Sequence, residues 1–463
     1  MKQATGKGKK RKRRTSKQGF RVIQPNVAGI DLGSCEHYVC CPPGPDGEPN
    51  VQHFGTTTPE LYTLADWLEE QEVESVAMES TGVYWVPIYE ILEKRGFEVL
   101  LVNARMLSRV PGRKTDMIDC QWIQMLHSCG LLTGSFRPGD DICVLRSLVR
   151  EKNTMESQRS DWIRRIQKSL DQMNVCVHHA VSDITGVTGM AIIRAIVHGE
   201  RDPRKLAKLR DKRCRKSEEQ IIGELTGNWR TEHLFTLKQA LQMYDHICEI
   251  ITEYETEISR VLTSLQPPEY RSLEVPEVTN KTKRYNVRAR GQEPMREALF
   301  RLIGYDLTSI TGIGVDTAEI ILSELGTDLS CFPSEKHFVS YLKLSPKLDI
   351  SGGKPIPGKR KGSTTTRVGA ALRTAAVTLT HSHSALGAEF RRISRRKGAS
   401  VAVFAIARKL AIIIFRLLRY GQQYVDEGMQ AYEERFKAAR IRTCKQIAEQ
   451  FGLIVIVPDQ EAA

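Results

Sequence analysis

Four carboxylates in the first quarter of the chain have the types and spacing of a metal site. Asp31 and Glu79 each end a short apolar run, and Asp116 and Asp119 are three residues apart at a predicted helix start. Neighbouring strands lie about 4.8 Å apart, and residues three apart share one helix face, so the four side chains could converge. Such oxygen ligands hold Mg²⁺ for phosphoryl transfer. The quartet therefore predicts a magnesium site acting on nucleic acid.

Each of these carboxylates also has an ordinary structural explanation. An Asp after a strand is commonly a turn former, and an Asp at the first position of a helix favours the helix dipole. Packed carboxylates repel one another strongly unless a cation neutralises them. The metal-site hypothesis therefore depends on the four residues together.

A second candidate reactive group is the hydroxyl of Ser351, which precedes two glycines in a basic stretch. No acidic residue occurs between Gly352 and Ala388. An alcohol there could attack a phosphate whose charge the neighbouring cations neutralise, although Ser-Gly-Gly is also typical of a plain linker. The side chains predicted to bind nucleic-acid phosphates are Lys354, Lys359, Arg360, Lys361, Arg367 and Arg373.

Gly312 and Gly314 lie in a turn that leads into an apolar helical run, a pattern that resembles a helix-hairpin-helix. Backbone N–H groups at the start of such a helix can bind a DNA phosphate. An ordinary helical hairpin turn is the alternative interpretation.

Composition places the chain among soluble globular proteins of two to four domains. It has 463 residues, of which 41% are hydrophobic and 27% charged. No apolar run reaches the roughly 18 to 20 residues that span a bilayer, and the basic N-terminus lacks the apolar segment of a secretory signal. The eleven cysteines have no CxxC spacing, which argues against a zinc site and against disulfides. We expect a protein of the reducing cytosol without a membrane partner.

The positive charge is concentrated at the N-terminus. The formal net charge is +13, and ten Lys and Arg residues lie between Lys2 and Arg21. The rest of the chain is nearly balanced, with 58 basic and 55 acidic residues. A polycationic arm of this kind contacts phosphate backbones without sequence preference. A solubilising disordered tail is the alternative.

The apolar pattern predicts an α/β plus all-α organisation. Residues 1–21 are predicted as a disordered basic arm, and residues 22–142 as an α/β domain with a mixed sheet. Residues 143–266 are predicted as a helical coiled-coil region, with helix-compatible stretches at 145–175 and 218–265; a plain helical spacer is the alternative. Three segments follow, namely a polar linker or insertion at 267–296, a mainly helical domain at 297–432 and a C-terminal tail at 433–463.

Two sets of motifs, in the same order, resemble those of the IS110-type transposases (the IS110/IS1111 group). The motifs similar to the N-terminal domain of that family are Gly29-Ile-Asp-Leu-Gly33, Glu79-Ser-Thr-Gly-Val-Tyr-Trp85 and Lys114-Thr-Asp-Met-Ile-Asp119. The motifs similar to its C-terminal domain are Ile310-Thr-Gly-Ile-Gly314, Ser351-Gly-Gly353, Thr366-Arg-Val-Gly-Ala-Ala-Leu-Arg373 and Ala405-Ile-Ala-Arg-Lys-Leu410.

The resemblance implies a specific fold and chemistry. It implies a RuvC-like (RNase H-type) domain with a DEDD site, matched here by Asp31, Glu79, Asp116 and Asp119, and a nucleophilic serine, which the motif places at Ser351. It also implies a composite active site across the subunits of a homo-oligomer, a dimer or a tetramer. An element-encoded guide RNA would direct recombination between the DNA of the element ends and the target.

The resulting hypothesis is a DNA transposase that uses Mg²⁺ and a serine–phosphate intermediate. One alternative is a metal-dependent RuvC-like junction nuclease, which would leave free ends and no protein–DNA linkage. Another is a non-catalytic nucleic-acid-binding protein, which would bind tightly without breaking strands. The intact quartet disfavours this last alternative, because a binding module has no use for four acids near a polyanion.

Overall fold

The computed structural model describes residues 21–44, 47–80, 82–103, 119–212, 214, 216–278, 280–345, 350–351, 354–355, 365–421, 434, 437–438 and 440–453. The chain divides into two compact units, residues 1–137 (unit 1) and residues 138–463 (unit 2). Four of the predicted site residues lie outside the described residues, as does most of the predicted basic arm; they are Asp116, Lys359, Arg360 and Lys361.

Unit 1 is built on a mixed sheet. Its strands are β1 Val27–Leu32, β2 Glu36–Cys41, β3 Asn50–Gly55, β4 Ser75–Glu79 and β5 Glu98–Val102. They lie in the order β3-β2-β1-β4-β5, with β1, β2 and β3 antiparallel and with β4 parallel to both β1 and β5. The predicted mixed sheet is confirmed, and the arrangement is consistent with an RNase H-like α/β domain.

Two helices cover one face of this sheet. They are α1 (Thr58–Glu70), which begins at a capping box formed by Thr57, and α2 (Trp85–Lys94). Their buried leucines share one core with Ile30 of β1 and Met78 of β4. The even-numbered residues of the two central strands therefore face α1 and α2.

A third helix, α3 (Asp119–Ser128), packs against the opposite face. Its Ile123 belongs to a small buried cluster with Ala77 of β4 and Val102 of β5. Side chains along a strand alternate between the two faces of a sheet. The odd-numbered residues of β4 therefore lie on the side of α3.

The first part of unit 2 is a pair of long helices joined by short ones. The elements are α4 Asp140–Gln172, α5 Val177–Ala180, α6 Val187–Val197, α7 Pro203–Ala207, α8 Glu218–Leu225 and α9 Thr231–Leu265. Ile166 near the end of α4 shares a core with Leu237 near the start of α9. The two long helices therefore run antiparallel, and the short helices close this core at their far end.

The helix-compatible stretch predicted over residues 218–265 forms two helices and not a single one. The stretch is interrupted between α8 and α9, where the backbone N–H of Asn228 donates to the carbonyl of Met173 at 2.7 Å. A Cβ at Gly227 would lie only 2.5 Å from that carbonyl oxygen. The break occurs because glycine lets the chain approach the end of α4, and this tertiary contact outweighs a weak local helix preference.

The segment predicted as a polar linker or insertion has secondary structure of its own. It contains a short 3₁₀ helix at Pro268–Tyr270 and the helix α10 (Lys281–Ala289), for which the Asn280 side chain is the N-cap. The buried Arg296 donates to the carbonyl of Pro276 at 2.5 Å. The segment is therefore folded against its neighbours, which a flexible linker would not be.

The rest of unit 2 is mainly helical. The elements are α11 Glu293–Ile303, α12 Val315–Leu325, α13 Glu335–Tyr341, β6 Ile350–Ser351, β7 Lys354–Pro355, α14 Arg367–Thr378, α15 Ala385–Lys397 and α16 Ala399–Tyr420, followed by helical residues at 440–450. Phe338 of α13 and Phe415 of α16 are fully buried, with ring centroids 5.5 Å apart. Aromatic packing therefore holds these two helices together.

Ion pairs join α4 to α12 within unit 2. Lys152 and Glu319 form a salt bridge with side chains that are only 5% and 4% exposed. Two nitrogens of Arg150 donate to the two carboxylate oxygens of Glu324, each at 2.7 Å. The long helix is therefore anchored to the C-terminal helices through charged groups.

Two cations of α16 have acidic partners in the helical bundle. Lys409 pairs with Glu389, and Arg416 lies 2.8 Å from Glu335.

No helix in the described part of the chain is long and apolar enough to cross a membrane.

Candidate active site

Asp31 and Glu79 lie at the C-terminal ends of the two central parallel strands. The register pairs Ile30 of β1 with Met78 of β4, so Asp31 and Glu79 occupy the next matched positions. Both are odd-numbered and partly buried, and the alternation of side chains puts them on the face that α3 covers. Two carboxylates of the predicted quartet therefore share one edge of the sheet.

The first turn of α3 brings a third carboxylate to this side of the sheet. The helix crosses β1 at Gly29, where a Cβ would lie 2.3 Å from the Gln124 nitrogen and 2.5 Å from the Cys120 carbonyl oxygen. Only glycine allows so close a crossing. Asp119 directly precedes Cys120, and Asp31 follows Gly29 by two residues. The glycine of the Gly-Ile-Asp motif therefore permits the approach of one predicted ligand to another.

The electrostatics of Cys120 support this placement. Burial raises the pKa of its thiol to about 11, and the negative charges of Asp31 and Asp119 add to the rise. Two carboxylates from different elements thus act on one buried group. The thiol itself stays protonated at neutral pH and is a poor candidate for a nucleophile.

The three described carboxylates of the predicted quartet do not form a compact group of ligand atoms. Among the described residues, one group of three ligand-type side chains has all its donor atoms within 4.8 Å of one another, and that group lies in unit 2. Asp31, Glu79 and Asp119 do not meet this distance condition as a set. The fourth predicted ligand, Asp116, lies outside the described residues. A set of carboxylate oxygens suits Mg²⁺ better than thiophilic metals.

Ser351, the predicted nucleophile, ends a short strand. It is the last residue of β6, and its backbone pairs antiparallel with Lys354 of β7. The two residues between them in the sequence are Gly352 and Gly353, a spacing typical of a tight hairpin. The backbone of Ser351 therefore lies opposite that of Lys354, a predicted phosphate-binding residue.

The Thr-Arg-Val-Gly motif packs α14 against the end of α13. The Thr366 hydroxyl accepts from the N–H of Gly369 at 3.0 Å and lies 3.3 Å from the carbonyl oxygen of Leu342, to which it donates. A Cβ at Gly369 would lie 2.4 Å from the same oxygen. The motif therefore fixes the helix that follows the basic stretch.

Two of the predicted phosphate-binding arginines have partners within unit 2. The Nε of Arg367 lies 3.7 Å from a carboxylate oxygen of Glu324, and its side chain is 52% exposed. Arg373 donates to the Thr365 hydroxyl at 2.9 Å, and its guanidinium lies over the ring of Phe404 at 5.2 Å. Arg367 therefore keeps an exposed side chain, whereas Arg373 contacts Thr365 before α14 and Phe404 of α16.

The glycines of the predicted helix-hairpin-helix turn line a groove. Gly312 has φ of +93°, a conformation that favours glycine, and Gly314 is the N-cap of α12. The groove has a volume of about 1190 Å³ and is also lined by Lys283 and His381. Burial lowers the pKa of Lys283 to about 8, and its ammonium donates to the carbonyl of Thr308.

Lys283 is a groove residue that the sequence interpretation did not single out. It belongs to the segment predicted as a linker or insertion, where no function was assigned. Asn280, which accepts a hydrogen bond from the Lys283 N–H at 3.0 Å, is the signal of a helix start at this point. A helix beginning there would have suggested a folded element with a defined surface.

Two family models match separate parts of the chain. Residues 28–175 match the model of the IS110-type DEDD domain, described as a transposase. Residues 305–392 match a second model, described as the transposase IS116/IS110/IS902 family. No curated protein matches the chain. A DEDD domain implies a nuclease-like fold that depends on a divalent metal, and a transposase binds DNA. The chain therefore belongs to the IS110 family of transposases.

Proposed function

We propose that this transposase cuts and rejoins the DNA of an insertion sequence through a serine–phosphate intermediate. The supporting observation is that Asp31 and Glu79 end adjacent parallel strands on the face where Asp119 begins α3. Acidic groups from three elements at one sheet edge would be costly for a protein that binds a polyanion, unless a cation is held there.

In this proposal the quartet of Asp31, Glu79, Asp116 and Asp119 holds Mg²⁺. When bound, the ion neutralises phosphate oxygens and orients the scissile phosphate. The carboxylates would fix the position of the ion, and through it that of the phosphate, relative to the sheet edge. They are not required to activate a water molecule, because the attacking group comes from the protein.

Ser351 is the proposed nucleophile. Its Oγ forms a bond to phosphorus while the bond from phosphorus to the 3′ oxygen breaks, and the hydroxyl proton ends on the leaving 3′ oxygen. The products are a 5′-phosphoserine linkage and a free 3′ hydroxyl. A 3′ hydroxyl of another strand then attacks the same phosphorus and returns the proton to Ser351. One phosphodiester is lost and one is formed, so strand exchange needs no ATP.

Cationic and backbone groups would hold the nucleic acid during these steps. Arginine and lysine side chains near a transferring phosphate stabilise its charge, and each contact makes affinity more sensitive to salt. The residues proposed for this role are Lys354, Lys359, Arg360, Lys361, Arg367 and Arg373, with the Gly312 and Gly314 backbone. A structured guide RNA from the same element is the proposed determinant of target choice.

A trapping experiment tests the serine. The protein is incubated with DNA of the element ends, candidate guide RNA and Mg²⁺, and covalent protein–DNA adducts are separated under denaturing conditions. Ser351→Ala should abolish the adduct, whereas the matched control Ser345→Ala, six residues away, should retain it. An adduct that persists in Ser351→Ala would refute the assignment. Cleavage with free ends and no adduct in the wild type would instead indicate a metal-dependent nuclease.

A second experiment tests the carboxylates. Asp31→Asn combined with Asp119→Asn removes two proposed ligands while nearly preserving side-chain volume, and recombination should fall to background at every Mg²⁺ concentration. Folding is checked by circular dichroism. Full recombination by the folded double variant would remove the metal-site assignment.

Mixing experiments test the proposed homo-oligomer and guide RNA. If one active site combines the carboxylates of one subunit with the serine of another, mixing Asp31→Asn protein with Ser351→Ala protein should restore adduct formation. No recovery in mixed oligomers would indicate a site within one chain. Omitting the RNA should abolish recombination, and unchanged target choice without RNA would exclude guidance.

A further inference from the structure

Three side chains with different metal-binding chemistry meet in unit 2, in a region that the proposed recombination does not use. Cys176 is the N-cap of α5, His179 lies within α5, and Glu224 lies near the end of α8. Their ligand atoms all lie within 4.8 Å of one another. Within the described parts of the chain, no other set of three such residues meets this condition.

The backbone under this cluster is firmly positioned. The N–H of Cys176 donates to the carbonyl of Glu224 at 2.8 Å, which joins the start of α5 to the end of α8. Val177 and Leu225, the neighbours of these two residues in sequence, are fully buried in one core. The three ligand atoms are therefore carried by a packed frame and not by an exposed loop.

The separations suit coordination of one cation. The Nδ1 of His179 lies 3.3 Å from the Oε2 of Glu224. A tetrahedral zinc-class ion holds nitrogen and oxygen ligands about 3.4 Å apart, given bonds of about 2.0 to 2.2 Å. The Nζ of Lys216 lies 3.1 Å from the other carboxylate oxygen, Oε1. Lys216 thus orients the carboxylate and leaves Oε2 directed toward the imidazole, as outer contacts of metal ligands commonly do.

The neighbouring histidine is placed differently. The Nδ1 of His178 lies 3.2 Å from a carboxylate oxygen of Asp171, near the end of α4. The ring centroids of His178 and His179 are 4.2 Å apart. The two adjacent imidazoles nevertheless contact different carboxylates, those of Asp171 and Glu224. His178 is therefore a matched control for His179, with the same chemistry and almost the same location.

We infer that Cys176, His179 and Glu224 bind a divalent cation of the zinc class. Thiolate, imidazole and carboxylate together select a borderline-soft metal such as Zn²⁺ over Mg²⁺. Three protein ligands leave one tetrahedral position for water. The ion would tie α5 to α8 and stabilise the core at the far end of the long helices. Cysteine spacing alone does not reveal this site, because its three ligands are of different types and one is distant in sequence.

Cobalt spectroscopy of the full-length protein tests the inference. Metal-free protein in excess Mg²⁺, which occupies all-oxygen sites, is titrated with Co²⁺ and then with Zn²⁺. We expect one equivalent of Co²⁺ with a thiolate-to-cobalt charge-transfer band, and displacement by Zn²⁺. Cys176→Ser should abolish the band, and His179→Ala should weaken binding by at least about tenfold. The control variants His178→Ala and Cys248→Ser should leave the charge-transfer band and the binding affinity unchanged.

Thermal unfolding with and without chelator separates lost binding from lost folding. Zn²⁺ should raise the melting temperature of the wild type and of the two controls but not that of Cys176→Ser or His179→Ala. If either variant fails to fold, Glu224→Gln, which keeps the side-chain shape, takes its place. Absence of a thiolate band in the wild type, or a band of unchanged affinity in Cys176→Ser, would overturn the inference. Neither result depends on recombination activity.

Discussion

Gly29→Ala should disturb the candidate active site although position 29 carries no reactive group. The added Cβ would lie 2.3 Å from the Gln124 nitrogen and 2.5 Å from the Cys120 oxygen. Non-bonded heavy atoms need about 3.5 Å, so α3 must move by about 1 Å. Overpacking of this kind costs about 1 to 3 kcal/mol, offset by up to about 1 kcal/mol because alanine restricts the unfolded chain.

The same shift should lower activity, because α3 begins with Asp119. A displacement of about 1 Å in a positioning group can cost about 10²-fold in rate. Strand cleavage and recombination are measured beside thermal unfolding. The matched control is Gly223→Ala, where a Cβ meets nothing within 4 Å. It should keep activity and gain up to about 1 kcal/mol of stability, because alanine is the better helix former.

Two outcomes would refute this reasoning. Unchanged stability and unchanged cleavage in Gly29→Ala would mean that α3 does not cross β1 closely. A second refuting outcome needs two separate variants. If Asp119→Asn abolishes cleavage while Gly29→Ala is less stable but cleaves fully, the shift of α3 does not reach its first residue.

Three further predictions concern unit 2 and the N-terminal arm. Lys152→Met leaves Glu319 buried without its partner and should lower the free energy of unfolding in urea by about 3 to 5 kcal/mol. The double variant Lys152→Met with Glu319→Leu should recover most of this loss. An equal loss in the single and double variants would count against the ion pair. Burial lowers the pKa of Lys283 from 10.5 to about 8 in the folded protein. Between these values the unfolded chain binds more protons, so the free energy of unfolding should rise with pH, and Lys283→Met should flatten the rise; an equal slope in that variant would contradict the assignment. Deleting residues 2–20 removes nine cations and should reduce the salt dependence of DNA binding; an unchanged slope would mean that the arm makes no phosphate contact.

The strands of unit 1 could be predicted from sequence because their patterns are local. β1 and β4 are short apolar runs, as expected for parallel strands buried on both faces. The apolar pattern predicts these strands at 27–32 and 75–78, and the observed bounds Val27–Leu32 and Ser75–Glu79 agree to within one residue. The end positions of Asp31 and Glu79 follow from the same runs. Their side-by-side placement required the pairing of β1 with β4, which local periodicity does not encode.

Two features of the helical region that the sequence did not predict also have a physical cause. The break at Gly227 results from contact with Met173, more than fifty residues earlier in the chain. The helix α10 lies in the segment predicted as a polar linker or insertion, for which no helix was predicted. In both places the deciding interactions join residues far apart in sequence, so local composition was a poor guide.

The residue types of the proposed chemistry, their order and their family motifs belong to the sequence. Asp31, Glu79, Asp119 and Ser351 can be selected from the chain without coordinates, because strand ends, helix starts and glycine pairs leave local signals. Tertiary structure alone decided that α3 crosses β1 at Gly29, and that Cys176 and His179 meet Glu224. Those relations depend on close packing between distant segments, and packing is determined by shape and volume in three dimensions.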